Sequence, residues 1–499
     1  MSISQRAVGD RLPARTVEWL LLAVLAAYLV GFAQRVDVSG TPALVHQAGL
    51  LVLLVLWTFR LAIRDRVLRM IVIGAFLVRA LSLPALALLT ADWRRDEFYF
   101  IDDRAYVVVA LQAIYSWSHG LAYDLVTGIG SFATGYYYLN VVLLTLLGQS
   151  VPLLQLVNCA VGAVTVAVLH ALTRDVFGLR PARLCAVVAA FASNLWFWSL
   201  FNLKDNWIVL ALVVLALIVQ RLLSGRASAL SVLLALAALT WLATTRDHVA
   251  YLALAFAALA FLAGRLGGLL SRARLSLKTA VYGLALLVAV GFVPREIGYG
   301  YWGSGFFAGA AERLLSFQEG SDVGEDSYFS GTRVQGLRSL LVHVPAGAVH
   351  FALAPVPWKA SGIYQGMIPG SLVLYLLYPL ALVGLLELAA RRPSFTVFLG
   401  GLLAVLWMLY SMAAWGGGVR HRAIFEPFVI MLAAQGWFVR PLGPIALALG
   451  LVALPAPFLH LALGPGGVAA VYGAVAGALL LWLGGRHRWV PSGTIVRGT

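Results

Sequence analysis

Charge is scarce in this chain. Only 11% of its 499 residues are Asp, Glu, Lys or Arg, and most sit in short clusters between long apolar runs. Cysteine is scarcer still. Cys159 and Cys185 both lie inside apolar segments, so the sequence holds no disulfide framework. The alternating segments of about ten residues that a transmembrane β-barrel needs are missing, and unbroken runs such as "VVLALIVQRLL" exclude that fold. No basic helix or stacking platform accompanies the net charge of +15, so the excess of cations does not indicate nucleic acid. There is no internal repeat, no low-complexity tract and no soluble module large enough for a scaffold.

What the chain has instead is apolar length. It is 61% hydrophobic, with a mean hydropathy of +0.90. A soluble domain is about half apolar, and windows of about 17–22 apolar residues can cross a hydrocarbon core as helices. The expected fold is therefore an all-α polytopic membrane protein. Fourteen spans are read, near 17–33, 43–59, 70–90, 154–173, 184–201, 206–222, 229–243, 249–265, 279–294, 370–390, 395–413, 424–439, 442–460 and 467–485. The first run lacks a convincing small-residue cleavage site and is read as a span, not a signal peptide.

The loops between these spans sort by charge. "RLAIRDRVLR", "RDVFGLRPAR", "QRLLSGRA", "GRLGGLLSRARLSLK" and "RRPS" are basic and fall on one side, which the positive-inside rule makes the cytoplasm. The other side receives nearly every carboxylate. "YYYLNVVLLTLLG", from Tyr136 to Gly148, would invert the basic loops if counted as a span, so it is read as an interfacial helix with tyrosines at headgroup level. Both termini are then cytoplasmic. Four regions follow: 1–68, a tail and two spans; 69–294, with a first outer loop at 91–153; 295–369, a long outer loop suited to a lid; and 370–499, the remaining spans and a tail.

Several polar clusters lie at the outer face. In "DEFYFIDDRAY", Asp102 and Asp103 begin a helical pattern that runs into "AYVVVALQAIYSW", where the helix dipole favours anions. A carboxylate held there can act as a general base or bind a divalent ion. "FNLKDNW" places Lys204 and Asp205 in a tight turn, and "TTRDHVAY" does the same for Arg246, Asp247 and His248. "WGGGVRHRAIFEPF" sets Arg420, His421 and Arg422 on the outer side, against the charge rule, and fixed cations there suit the phosphate of a lipid. His421 has no HxxxH-type partner for a metal. Glu426 stands four residues after Arg422, the spacing of a structural pair. Arg79 lies within a span, where it either snorkels, pairs with a neighbour or marks a polar cavity.

This arrangement resembles the C-type integral-membrane glycosyltransferases, particularly the bacterial family of protein O-mannosyltransferases and the aminoarabinose transferase of lipid A. The resemblance rests on "DDRAY", which matches a D-E/D-x-x-Y signature at Asp102, Asp103 and Tyr106. It rests also on "YYYLNVVLLTLLGQS" leading into a span, on the ending "VFGLRPAR", and on Asp205 in "LKDN" at the outer start of a later helix. It covers about Arg69 to Pro294. The family's second acid, expected near Ser131, has no counterpart there, and Asp124 in "LAYDLVTG" is the closest substitute.

The resemblance implies a GT-C-like core with juxtamembrane helices on the extracytoplasmic side of a bacterial inner membrane. It implies inverting transfer of a sugar from a polyprenyl-phosphate donor to a glycan, lipid or protein acceptor. Asp102 would be the base, and Asp103 or Asp124 would orient it or hold a cation such as Mg or Mn. Tyr106, Lys204, Asp205, Arg246, His248, Arg420 and Arg422 would bind substrates, with the cations neutralising the departing phosphate. The alternatives are an O-antigen or exopolysaccharide polymerase and, from a different class, a transporter or flippase of lipid-linked saccharides. A transporter would carry repeated halves and charged, broken helices at mid-membrane, whereas here the polar groups gather at one face.

Overall fold

The computed structural model describes residues 41–89, 98–123, 134–147, 149–269, 351–354, 362–413 and 420–439, with 348, 442–443 and 447 as isolated positions. The regular structure among the described residues is helical, with no strand. In chain order the helices are α1 (Thr41–Ala62), α2 (Arg66–Leu89), α3 (Ile101–Ser118), α4 (Thr134–Leu147), α5 (Val151–Phe177), α6 (Leu179–Phe191) and α7 (Asn194–Trp198). Then come α8 (Asp205–Leu223), α9 (Ala229–Thr245), α10 (Asp247–Leu269), α11 (Ile368–Arg391), α12 (Pro393–Ala413) and α13 (Glu426–Phe438). Six of them, α2, α5, α8, α10, α11 and α12, are long and apolar enough to cross a membrane. The expected spans at 17–33, 279–294 and 467–485 lie outside the described residues, as do nearly all of 442–460, nearly all of the loop 295–369, and Asp96, Glu97, Asp124 and Ser131.

The chain divides into two compact units, Met1–Ala250 and Tyr251–Thr499. In the first, α5 is the central helix and packs on α2, α6 and α8. It is buried on nearly every side, from Leu153 and Leu154 through Cys159, Gly162 and Val166 to Leu172 and Val176, as suits a helix apolar all round. Its threonines satisfy themselves along the helix: Thr165 donates to the Val161 carbonyl and Thr173 to that of Leu169. Helix α9 packs on α8 but leaves Leu230, Leu233, Leu234 and Leu236 exposed, an apolar face of the kind that lipid covers.

At one end of this unit the basic loops are built for turning. Gly178 after α5 and Gly225 after α8 both take positive φ, 97° and 66°, which side-chain-bearing residues adopt at a cost. Asp65 caps α2 by accepting from the amides of Val67 and Leu68 at 2.8 and 3.0 Å. Asp175 holds Arg221 at 2.9 Å.

One expected span is interrupted. The run 184–201 forms α6, a bend at Ala192 and Ser193, the five-residue α7, and then non-helical backbone to Leu203. Apolar content alone hid the break. Its cause is polar competition for the backbone: Ser193 is extended, at φ −122°, and its hydroxyl donates back to the Ala189 carbonyl.

In the second unit α11 and α13 cross closely because glycines face carbonyls. A Cβ at Gly384 would lie 1.9 Å from the Leu432 oxygen, and one at Gly436 would lie 2.0 Å from that of Leu380. Small residues at such a crossing let the backbones meet, the usual basis of packing between apolar helices in lipid. The span read at 424–439 appears as a 3-10 turn, Arg420–Ile424, followed by the 13-residue α13.

Candidate functional site

The opening turn of α3 is pinned by aromatic rings before any acid is placed. Tyr99 and Phe100 meet the ring of Phe201 at 5.3 and 5.0 Å, and Phe100 lies 6.0 Å from Trp198. Phe98 is buried beside them in sequence. These contacts join the start of α3 to the non-helical segment after α7.

Helix α3 then buries a single stripe: Asp103, Tyr106, Val107, Ala110 and Ala113. That spacing is the i, i+3, i+4, i+7 pattern of one helix face, so Asp103 occupies what would ordinarily be an apolar core position. Asp102, one residue earlier, points about 100° away and is half-buried. The adjacent acids are therefore not equivalent. Asp103 is fully enclosed, and neither carboxylate oxygen makes a hydrogen bond of ordinary geometry. Burial pushes its carboxyl up to about 7, the neighbouring charge of Asp102 adds to the rise, and the backbone N–H of Asn202 opposes it.

Around Asp103 lies a buried network of amides. The Tyr136 hydroxyl donates to Asn202 Oδ1 at 2.7 Å, and Asn202 Nδ2 donates to Asn140 Oδ1 at 2.7 Å. Asn140 donates to the Tyr136 carbonyl at 2.8 Å. Asn158, on α5, donates to the Phe201 carbonyl at 2.8 Å and to the Tyr136 hydroxyl at 3.2 Å. Its own Oδ1 accepts from the Trp207 indole at 2.6 Å, and its carbonyl accepts from Asn206 at 2.7 Å. Buried polar networks rigidify a core when their members are satisfied. Tyr106 packs edge-on against Tyr136 and Tyr137, at 4.8 and 5.1 Å.

Two acids bear on Tyr136 from different elements. Burial is the main cause that raises its phenol above the ordinary value, and the charges of Asp103 and Asp205 add to the rise. Tyr137 is pushed up to about 12, by burial first and then by Asp102 and Tyr123. Asp205, in the first turn of α8, accepts from Arg246 at 2.7 Å, and the two side chains are 1% and 6% exposed. A pair this dry holds its geometry at the expense of solvation, and losing either partner strands the other.

The candidate residues named from sequence therefore divide. Asp102, Asp103, Tyr106, Asp205 and Arg246 belong to the first unit, where Asp103 and Asp205 share the neighbourhood of Tyr136. Lys204 is half-buried as the residue before α8, and His248 is half-buried, with its ring 3.5 Å from Asp247. Asp124 lies outside the described residues. In the second unit, Arg422 is buried. It donates to the carbonyls of Ala352 and Ala354 and to Ser371 Oγ, and its Nε lies 3.7 Å from Glu426. Arg420 is half-buried, and His421 stacks on Tyr410 at 4.9 Å.

A divalent ion shared by Asp102 and Asp103 does not fit this arrangement. Neighbouring positions on a helix diverge, and here one carboxylate faces the interior while the other does not. Among the described residues no three His, Cys, Asp or Glu side chains come together as ligands.

Sequence reasoning passed over Asn140, Asn158, Asn202, Asn206 and Tyr136. A signal was present for Asn140, Asn158 and Asn202, each of which interrupts an apolar or aromatic run, and amides buried in such surroundings need partners.

The described residues define a helical, membrane-type protein whose first unit holds a buried acid–amide cluster. Beyond that class no resemblance is found: no family model, curated protein or solved structure matches the chain.

Proposed function

We propose that the protein is a membrane glycosyltransferase that moves a sugar from a polyprenyl-phosphate donor to a hydroxyl acceptor at the extracytoplasmic face. The observation that carries this reading is the asymmetry of the acid pair. Asp102 is half-buried and Asp103 is enclosed, both at the start of a helix whose preceding residues, Tyr99 and Phe100, are clamped by aromatic rings.

In this reading Asp102 takes the proton of the acceptor hydroxyl as the acceptor oxygen bonds to the anomeric carbon. The bond from that carbon to the phosphate oxygen breaks, and the phosphate leaves with the electron pair. Attack opposite the leaving group inverts the centre. Asp103, enclosed in the interior, does not meet the acceptor. A departing phosphate needs fixed positive charge more than a proton. Arg422 already directs its guanidinium to protein carbonyls, Ser371 and the neighbouring Glu426. Lys204, half-buried in the same unit as Asp102, is the better candidate.

The test is transfer by the purified protein from synthetic polyprenyl-phosphate sugars to glycan, lipid or peptide acceptors. Transfer abolished by Asp102→Asn supports the reading. Movement of lipid-linked saccharide across a vesicle membrane without transfer replaces it with a transporter.

A further inference from the structure

Arg79 sits in the middle of α2, a helix apolar enough to span a membrane, yet it is completely buried within the first unit. Its guanidinium is not aimed at a carboxylate. Nε donates to Ser199 Oγ at 2.9 Å, one terminal nitrogen donates to the Ala75 and Ala190 carbonyls at 3.0 and 2.9 Å, and the other to the Ala189 carbonyl at 3.4 Å. Ala189 and Ala190 lie in the last turn of α6, so Arg79 supplies donors to carbonyls that the helix break leaves without intrahelical partners, joining Ser193 at Ala189. Ser199 in turn donates to the Trp196 carbonyl at 2.6 Å, and the Cys159 thiol donates to the Ser199 carbonyl at 3.4 Å. Gly162 on α5 makes the room: a Cβ there would lie 2.8 Å from Ser199 Cβ and 3.0 Å from Arg79 Nε.

Three residues beyond Ser199 stands Asn202, which holds both Tyr136 and Asn140 and whose backbone faces Asp103. We propose that Arg79 is a positioning residue of the acid site: it holds the broken segment 192–203 in shape, and through Ser199 and Asn202 sets the wall against which Asp103 is enclosed. A membrane-embedded arginine is usually sought in a substrate path; here its fork matches the geometry of a helix break. The inference rests on the glycosyl-transfer reading only for its catalytic consequence, since the enclosure of Asp103 is a property of the resting protein.

Arg79→Ala would strand several buried carbonyls and endanger folding, so the test uses smaller changes. Ser199→Ala deletes only the hydroxyl that accepts from Arg79 Nε, and Gly162→Ala pushes a methyl between Ser199 and Arg79. Thr165→Val, a buried hydroxyl bonded only along its own helix, is the control. The full chain in lipid nanodiscs is titrated while the carbonyl stretch of protonated carboxyls is followed by infrared spectroscopy, with Asp103 assigned by loss of the band in Asp103→Asn. The charged and titratable groups around Asp103 are Asp102 on its own helix and Tyr136 on α4, which is also under the charge of Asp205, the partner of Arg246. All are unchanged in these variants.

The midpoint of Asp103 is expected to fall by about one pH unit or more in Ser199→Ala and Gly162→Ala, as the wall loosens and the carboxyl is hydrated. It should stay in place in Thr165→Val. An unchanged midpoint in both variants, with helicity retained, overturns the proposal. So does an Asp103 already ionised well below pH 7 in the unaltered protein. No turnover is needed, so an inactive protein with the expected shift would count against the glycosyltransferase reading and leave this one standing.

Discussion

Removing Arg246 while keeping Asp205 is the sharpest perturbation of the first unit. The two side chains are 6% and 1% exposed and meet at 2.7 Å, so solvent screening, which makes exposed pairs nearly worthless, is largely excluded. Breaking a buried pair from one side costs about 3–5 kcal/mol, because the remaining charge stays buried without compensation. At 1.4 kcal/mol per decade, this lowers the folding equilibrium about 10²- to 10³-fold or somewhat more. Arg246→Met should show this loss by steric trapping in bicelles. Asp205→Asn should cost less, since an amide is cheaper to bury than a charge. The double variant should recover part of the loss, giving a favourable coupling of at least about 1 kcal/mol in the cycle. If Arg246→Met costs less than about 1 kcal/mol, or the two changes simply add, the pair is not the brace described.

Three further outcomes follow from other parts of the molecule. Asp103 carries its proton up to about pH 7 in the folded chain, against 3.8 as the ordinary value, so ionisation is penalised only in the folded state. The penalty is absent below the ordinary value, grows up to about pH 7 and is constant above; stability should therefore fall across that window, and Asp103→Asn should flatten the slope in a denaturation series. Gly384→Ala places a methyl against the Leu432 carbonyl and should destabilise the second unit by about 1–3 kcal/mol, the usual range for overpacking, read as a lower melting temperature in detergent. Asn202→Ala leaves Tyr136 and Asn140 without their shared partner and should cost about 1–3 kcal/mol, whereas Asn→Ala at an exposed position should cost almost nothing in the same assay.

Much of the helix pattern was legible because apolar length is a direct physical signal. The spans read at 70–90, 154–173, 206–222, 249–265, 370–390 and 395–413 correspond to α2, α5, α8, α10, α11 and α12. The segment read as an interfacial helix from Tyr136 is the short helix α4, Thr134–Leu147. The break inside 184–201 was not legible, because hydropathy does not weigh a serine that competes for backbone carbonyls or an arginine arriving from a distant helix. The acid pair shows both sides. Its place at a helix start could be read, but the buried stripe could not, since Val108 and Val109 are as apolar as Val107 and no face of this helix stands out in the sequence. The partners of Asp103 could not, because Asn202 and Tyr136 are brought to it only by tertiary packing. Arg422 is the converse case. Its outward position in the charge pattern suggested anion binding, but the direction of its guanidinium is set by carbonyls at 352 and 354, some 70 residues away in sequence.

The central claim is that Asp102, the open member of the pair, performs base chemistry on a lipid-linked sugar reaction. The most direct measurement is the initial rate of sugar transfer from a polyprenyl-phosphate donor by purified Asp102→Asn protein beside the unaltered chain. Loss of a general base predicts a fall of about 10²- to 10⁴-fold in kcat with donor binding retained. Equal rates in the two proteins would contradict the account.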